Sequence, residues 1–171
     1  YKFIPCRFVD DNNESRKNLI EYIYQRLFEK GPQLIIVEAA AGFGKTSVSY
    51  ELIKRLSVDS KGTVPIITEL SKNRTASIFK YVLLTEIDSK FSSLSSELVT
   101  YEIKQGKVPL IIDGFDELLS KSHDDVQADL SDSDEKTAQT MLSTIAQLLG
   151  ENSCAKIVLT SRKSSIFAGE L

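Results

Sequence analysis

The residues best suited to chemistry begin with Gly42-Phe43-Gly44-Lys45-Thr46, preceded by the small residues Ala39, Ala40 and Ala41. Small side chains let consecutive backbone N–H groups curl around an anion. A helix starting just after them would aim its positive dipole end at the same anion. Lys45 supplies a cation for the outer phosphates of a nucleotide, and the Thr46 hydroxyl a hard oxygen for Mg²⁺. The segment from Ala41 through Gly42, Phe43, Gly44, Lys45 and Thr46 to Ser47 is therefore the candidate nucleotide-binding loop, with ATP the expected ligand. Ala39 replaces the first glycine of the usual pattern. At positive φ an alanine would cost about 1–2 kcal/mol, so the sequence predicts ordinary dihedrals at Ala39 and leaves the left-handed ones to Gly42 and Gly44. A glycine turn with an incidental lysine is the plain alternative.

A second group lies in Val108-Pro-Leu-Ile-Ile-Asp113-Gly-Phe-Asp116-Glu117-Leu118. The apolar run drives a strand into the core, and Asp113 emerges at its end, where a carboxylate can hold Mg²⁺ opposite Thr46. Asp116 and Glu117 could orient or deprotonate an attacking water, and Phe115 and Leu118 would limit solvent there. The two acids also suit the first turn of a helix, where negative charge favours the dipole. The residues leave open which of the pair is the base. A third group is Thr160-Ser161-Arg162 after the apolar run from Lys156. It would set a guanidinium near a terminal phosphate, where ATP and ADP differ.

The elements that must position these residues alternate. Leu19, Ile20, Ile23 and Leu27 share a helical face closed by Gly31-Pro32. Leu34–Val37 reads as a strand buried on both faces. Val48, Leu52, Ile53 and Leu56 mark the next helix, and Val64–Leu70 a strand with Pro65 near its start. Phe79, Val82, Leu83 and Ile87 mark a third helix, with Thr75 as a candidate N-cap. A weaker helix spans Ser93–Lys104, and Val108–Asp113 is the third strand. Met141, Leu142, Ile145, Leu148 and Leu149 form a helix ended by Gly150, and Lys156–Thr160 is the fourth strand. Strands separated by helices predict an α/β fold with a parallel sheet covered on both faces, which binds ligands at the carboxyl ends of its strands.

The bulk composition agrees. At 171 residues, with 42% hydrophobic and 26% charged residues, the chain suits one soluble globular domain. A net charge of −3 offers no electrostatic ground for nucleic acid or an anionic membrane as partner. No apolar run is long enough for a membrane span. Two cysteines, Cys6 and Cys154, in no metal-ligand spacing, read as reduced thiols of a cytoplasmic protein. The first residue is Tyr1, and Leu171 follows closely on a strand, so the sequence reads as a piece of a larger protein. Ser120–Lys136, rich in Asp, reads as a solvated loop that includes His123, a surface residue. Arg74, after the second strand, reads as a surface residue as well.

Taken together, the three groups resemble the NACHT family of STAND ATPases, the regulated switches of NOD-like receptors and related bacterial antiphage defence proteins. Asp113-Gly-Phe-Asp116-Glu117 looks like the family's Walker B and Ala41-Gly42-x-Gly44-Lys45-Thr46 like its Walker A. Thr160-Ser161-Arg162 is similar to its sensor 1, although Lys163 stands where the family usually has proline. The resemblance implies a three-layer P-loop NTPase fold of the ASCE division, with the sensor strand between the Walker A and Walker B strands. Residues 1–171 would be a partial nucleotide-binding domain, with helical, winged-helix, sensor and effector domains outside it. Ile4 and Pro5 would lie against the adenine. The implied function is a slowly hydrolysing ATP/ADP switch with Mg²⁺, which self-oligomerises on meeting a trigger ligand such as a phage or pathogen protein. Two other readings stand beside it: a mechanical or catalytic NTPase of the AAA+ kind, and a nucleotide-binding scaffold without turnover. AAA+ proteins usually place their acids adjacent at the strand end. A guanine-reading Asn-Lys-x-Asp motif is not found.

Overall fold

Between Cys6 and Asn18 the chain turns back on itself through a feature that the apolar pattern does not announce. β1 (Arg7–Val9) and β2 (Ser15–Lys17) form an antiparallel hairpin in which Arg7 faces Lys17. Each strand has three residues, too short for alternation to register. The turn is organised by Asp10, whose buried carboxylate accepts the backbone N–H of Asn12 and Glu14 at 3.1 and 2.9 Å and pairs with the Arg16 guanidinium. Burial pushes this carboxyl up. The N–H of Glu14, the Arg16 side chain and the N–H of Asn12 outweigh burial and hold it below the usual carboxylate range.

The computed structural model describes residues 6–58, 63–70, 79–90, 93, 95–118 and 142–162. Ile4, Pro5, Arg74, Thr75, His123, Met141, Lys163 and the acidic stretch 120–136 lie outside the described residues, and so do the expectations attached to them. After the hairpin come α1 (Leu19–Leu27), β3 (Gln33–Glu38), α2 (Lys45–Val58) and β4 (Ile66–Glu69). These are followed by α3 (Phe79–Lys90), α4 (Ser96–Lys104), β5 (Leu110–Asp113) and a turn of 3₁₀ helix at Phe115–Leu118. Helical residues 142–148 and β6 (Lys156–Ser161) complete the set.

The elements follow the apolar periods, with shifted ends. α1 stops at Leu27, short of Gly31-Pro32, and its start is capped by Asn18, whose side chain accepts the Glu21 N–H. α4 begins at Ser96 rather than Ser93 because Ser95 supplies the cap, accepting the Leu98 N–H at 3.2 Å. It ends at Lys104, and Gly106, two residues on, has φ of +76°, where an added Cβ would sit 2.5 Å from the Cys154 carbonyl oxygen. β4 and β5 start two residues later than expected, after Pro65 and Pro109, neither of which can donate to a ladder.

β3, β6, β5 and β4 form, in that spatial order, a four-stranded parallel sheet. Alternation along the strands divides the interior in two. Ile111 and Val158 face α1 and α2, meeting Ile23, Leu27, Leu52 and Leu56. Ile66, Leu110, Ile112, Ile157 and Leu159 face the other way, onto α3, α4 and helical residues 142–148, where they meet Ile87, Ile103 and Ile145. The architecture is α/β, a parallel sheet with helices on both faces.

One expectation needs correcting. β3 is not buried on both faces. Among the described residues it is an edge strand, with Ile35 and Val37 packed toward α1 and α2 and Leu34 and Ile36 exposed on the other face. An uninterrupted apolar run indicates a strand but not its place in the sheet. Lys156, at the start of neighbouring β6, is buried and donates from Nζ to the carbonyls of Glu29 and Gly31 at 2.5 and 2.6 Å. Its amine thereby satisfies the turn between α1 and β3, while burial pushes its pKa down.

Candidate functional site

β3 ends at Glu38, and the chain turns through 39–44 into α2 at the carboxyl edge of the sheet. The Ala39 N–H donates to the Ser161 carbonyl at 3.2 Å, anchoring the loop to the end of β6. Gly42 and Gly44 have φ of +80° and +81°, and Ala39 is not among the positive-φ residues, as its lack of a glycine requires. The first intrahelical bond of α2 is donated by Val48 to the Gly44 carbonyl at 2.9 Å. The amides of Lys45, Thr46 and Ser47 therefore precede the helical ladder and need partners from elsewhere. They lie at the positive end of a 14-residue helix, the usual seat of an anion. The Lys45 ammonium donates to the carbonyls of Ala39 and Ala40 at 3.1 and 3.2 Å. Phe43, between the glycines, points into solvent with 77% exposure, so its ring has no part in the core.

Asp113 is the centre of the site. Its side of β5 faces α2, and three hydroxyls converge on its carboxylate. Thr46 donates to Oδ2 at 2.7 Å, and Ser49 and Thr160 donate to Oδ1 at 2.9 and 2.7 Å. The Thr160 hydroxyl also accepts the Gly114 N–H at 3.1 Å. Asp113, Ser49 and Thr160 are all buried. A buried carboxylate needs such partners, and these fix its rotamer between the start of α2 and the end of β6. Sequence reasoning does not single out Ser49. The signal for it is its spacing: three residues after Thr46 on a helix places both hydroxyls on one face.

The third group closes on the second. Asp116, on the 3₁₀ turn, is buried and accepts the Arg162 backbone N–H on Oδ1 at 2.9 Å, and its Oδ2 lies 2.7 Å from Arg162 Nε. The turn after β5 is thus tied to the residue after β6. Phe115 beside it is fully buried. Glu117 lies on the same 3₁₀ turn, but its side chain is outside the described atoms.

The structure therefore brings together the loop 39–47, Asp113, Asp116 and Arg162 at one edge of the sheet. Among the described residues no three His, Cys, Asp or Glu side chains cluster as a metal site. Mg²⁺ carried by phosphates needs no such cluster, since it takes one or two protein oxygens and fills its shell with water and phosphate. The Thr46 hydroxyl and Asp113 carboxylate, 2.7 Å apart, are hard oxygen donors that fit this pattern. Both cysteines are free, and among the described residues no helix is long and apolar enough to cross a membrane. No protein-family model matches the chain, and a comparison with curated proteins finds no match either.

Proposed function

We propose that this chain is an ATP-binding module that hydrolyses slowly and acts as a switch, with a P-loop fold of the ASCE type, in the manner of NACHT ATPases. The observation that carries the reading is the bond from Thr46 to Asp113. It joins a glycine-rich helix start to a strand-end carboxylate 67 residues further along the chain. The position of β6 between β3 and β5 supports the same reading, because the resemblance implies a sensor strand there.

In this reading the amides of Lys45, Thr46 and Ser47 receive phosphate oxygens, and Lys45 exchanges its two loop carbonyls for phosphate. Thr46 and Asp113 hold Mg²⁺, which neutralises phosphate charge when bound. Ser49 and Thr160 keep the Asp113 carboxylate aimed at Thr46. An acid on the 3₁₀ turn accepts the proton of the attacking water, and Arg162 meets the terminal phosphate. In a cytoplasmic setting ATP would favour self-assembly of the protein carrying this module, and a trigger ligand would favour exchange of ADP for ATP.

Calorimetric titration with ATP, ADP and GTP, with and without Mg²⁺, tests the nucleotide reading. ATP should bind more tightly with Mg²⁺, and Lys45→Ala should weaken it at least tenfold, about 1.4 kcal/mol. Absence of binding, or equal binding by the variant, would overturn it. Rapid steady-state turnover would favour the AAA+ reading over the switch.

A further inference from the structure

Asp116 and Glu117 are the two acids on which proton transfer could fall, and the geometry separates them. An acceptor for the proton of water needs an oxygen free to face that water. Both oxygens of Asp116 are engaged by Arg162: Oδ1 by its backbone N–H at 2.9 Å, Oδ2 by the guanidinium Nε at 2.7 Å. The carboxylate is buried, with side-chain exposure of 8%, whereas the Arg162 side chain is 52% exposed. Gripping a guanidinium through Nε leaves its two terminal nitrogens, with four N–H donors, to face outward. A buried acid holding an arginine by main chain and side chain is arranged to present that arginine to an anion.

We infer that Asp116 is a positioning residue and not the proton acceptor. It clasps the end of β6 and presents Arg162 to the terminal phosphate, and proton acceptance falls to another group, for which Glu117 is the candidate from sequence. The inference rests on the nucleotide reading above. A second tie supports it: the Gly114 N–H bond to Thr160 at 3.1 Å joins the same two segments two residues earlier. Together they make residues 113–116 and 160–162 one unit. Loss of the clasp therefore costs orientation of Arg162 rather than proton transfer itself.

The test uses the chain carrying Asp116→Asn, Arg162→Gln and both changes. Asparagine keeps an oxygen for the Arg162 N–H but puts an amide donor where the second oxygen met Nε, so it releases the guanidinium while keeping the main-chain tie; circular dichroism checks that the fold is kept. ATP and ADP affinities are read with the pH dependence of single-turnover hydrolysis. Each single variant should lower the preference for ATP over ADP by a similar factor, on the order of tenfold. The double variant should be no worse than either alone. The acid limb of the rate profile should survive Asp116→Asn and disappear in Glu117→Gln. If Asp116→Asn abolishes turnover while leaving the ATP preference intact, or if the two losses multiply, the clasp is wrong and the nucleotide reading survives. A parent chain that binds no ATP removes the nucleotide reading instead, and the clasp with it.

Discussion

Asp113 shows how much a single side chain can be asked to organise. Its carboxylate holds together the first turn of α2, the end of β5 and the end of β6 through the hydroxyls of Thr46, Ser49 and Thr160. The three hydroxyls are not equivalent. Ser49 has a single hydrogen, with Asp113 Oδ1 at 2.9 Å and the Lys45 carbonyl at 3.3 Å as its acceptors, whereas Thr160 gives one bond and accepts another from Gly114. Ser49→Ala should therefore cost about 1 kcal/mol, the net worth of one hydrogen bond. Thr160→Val leaves the Gly114 N–H without its acceptor and Asp113 one donor poorer, so it should cost more, about 1–3 kcal/mol. Urea denaturation of the two variants beside the parent checks the order, and equal losses would contradict it. At this scale the sequence was legible where a type and a spacing met: Gly42, Gly44, Lys45, Thr46 and Asp113. It was silent on the engagement of Asp116 by Arg162, because a contact made across 46 residues leaves no local trace, and Ser49 could be reached only through its helical spacing from Thr46.

Among the elements, those with a repeating apolar face were legible and the one without was not. α1, α2 and the strands announce themselves by what they bury. The hairpin of β1 and β2 is held by Asp10, whose bonds to Asn12, Glu14 and Arg16 are turn chemistry rather than burial of an apolar face. Its stability should accordingly depend on pH. The folded-state pKa of Asp10 is lowered, so its contribution is complete above the unfolded value and is lost as pH falls through the folded one. Asp10→Asn should lower the urea midpoint at pH 7. That difference should shrink as pH drops below about 3.9, the ordinary value for aspartate. A gap that stayed constant down to pH 2 would show that the charge is not what holds the turn.

Across the whole molecule, the sheet separates two apolar interiors, and positions that look alike in sequence differ in consequence. Leu52 on α2 is fully buried, whereas Leu34 on β3 is 41% exposed. Leu52→Ala should cost about 2–5 kcal/mol through lost burial and the cavity left behind. Leu34→Ala should cost well under half of that, since much of its side chain already meets water. Thermal denaturation of both variants makes the comparison, and equal losses would mean that Leu34 is covered. From the apolar pattern alone strand order was the least legible property, although the family resemblance implied the observed place of β6 between β3 and β5. Alternating helices and strands imply a parallel sheet, but only pairing decides which strand stands at an edge. An all-apolar run at 34–37 therefore suggested an interior strand.

The place of β6 has a consequence for biosynthesis. The strand that joins β3 to β5 is the last described strand to leave the ribosome, and Gln33 finds its partner Lys156 more than a hundred residues later. At ordinary rates of elongation, β3 waits on the order of ten seconds with no neighbour to complete its backbone bonds. Such distant pairing slows folding and leaves apolar strands open to wrong partners. Among the described strands, β4 and β5 can pair as soon as both are made, whereas β3 has no partner until β6 follows.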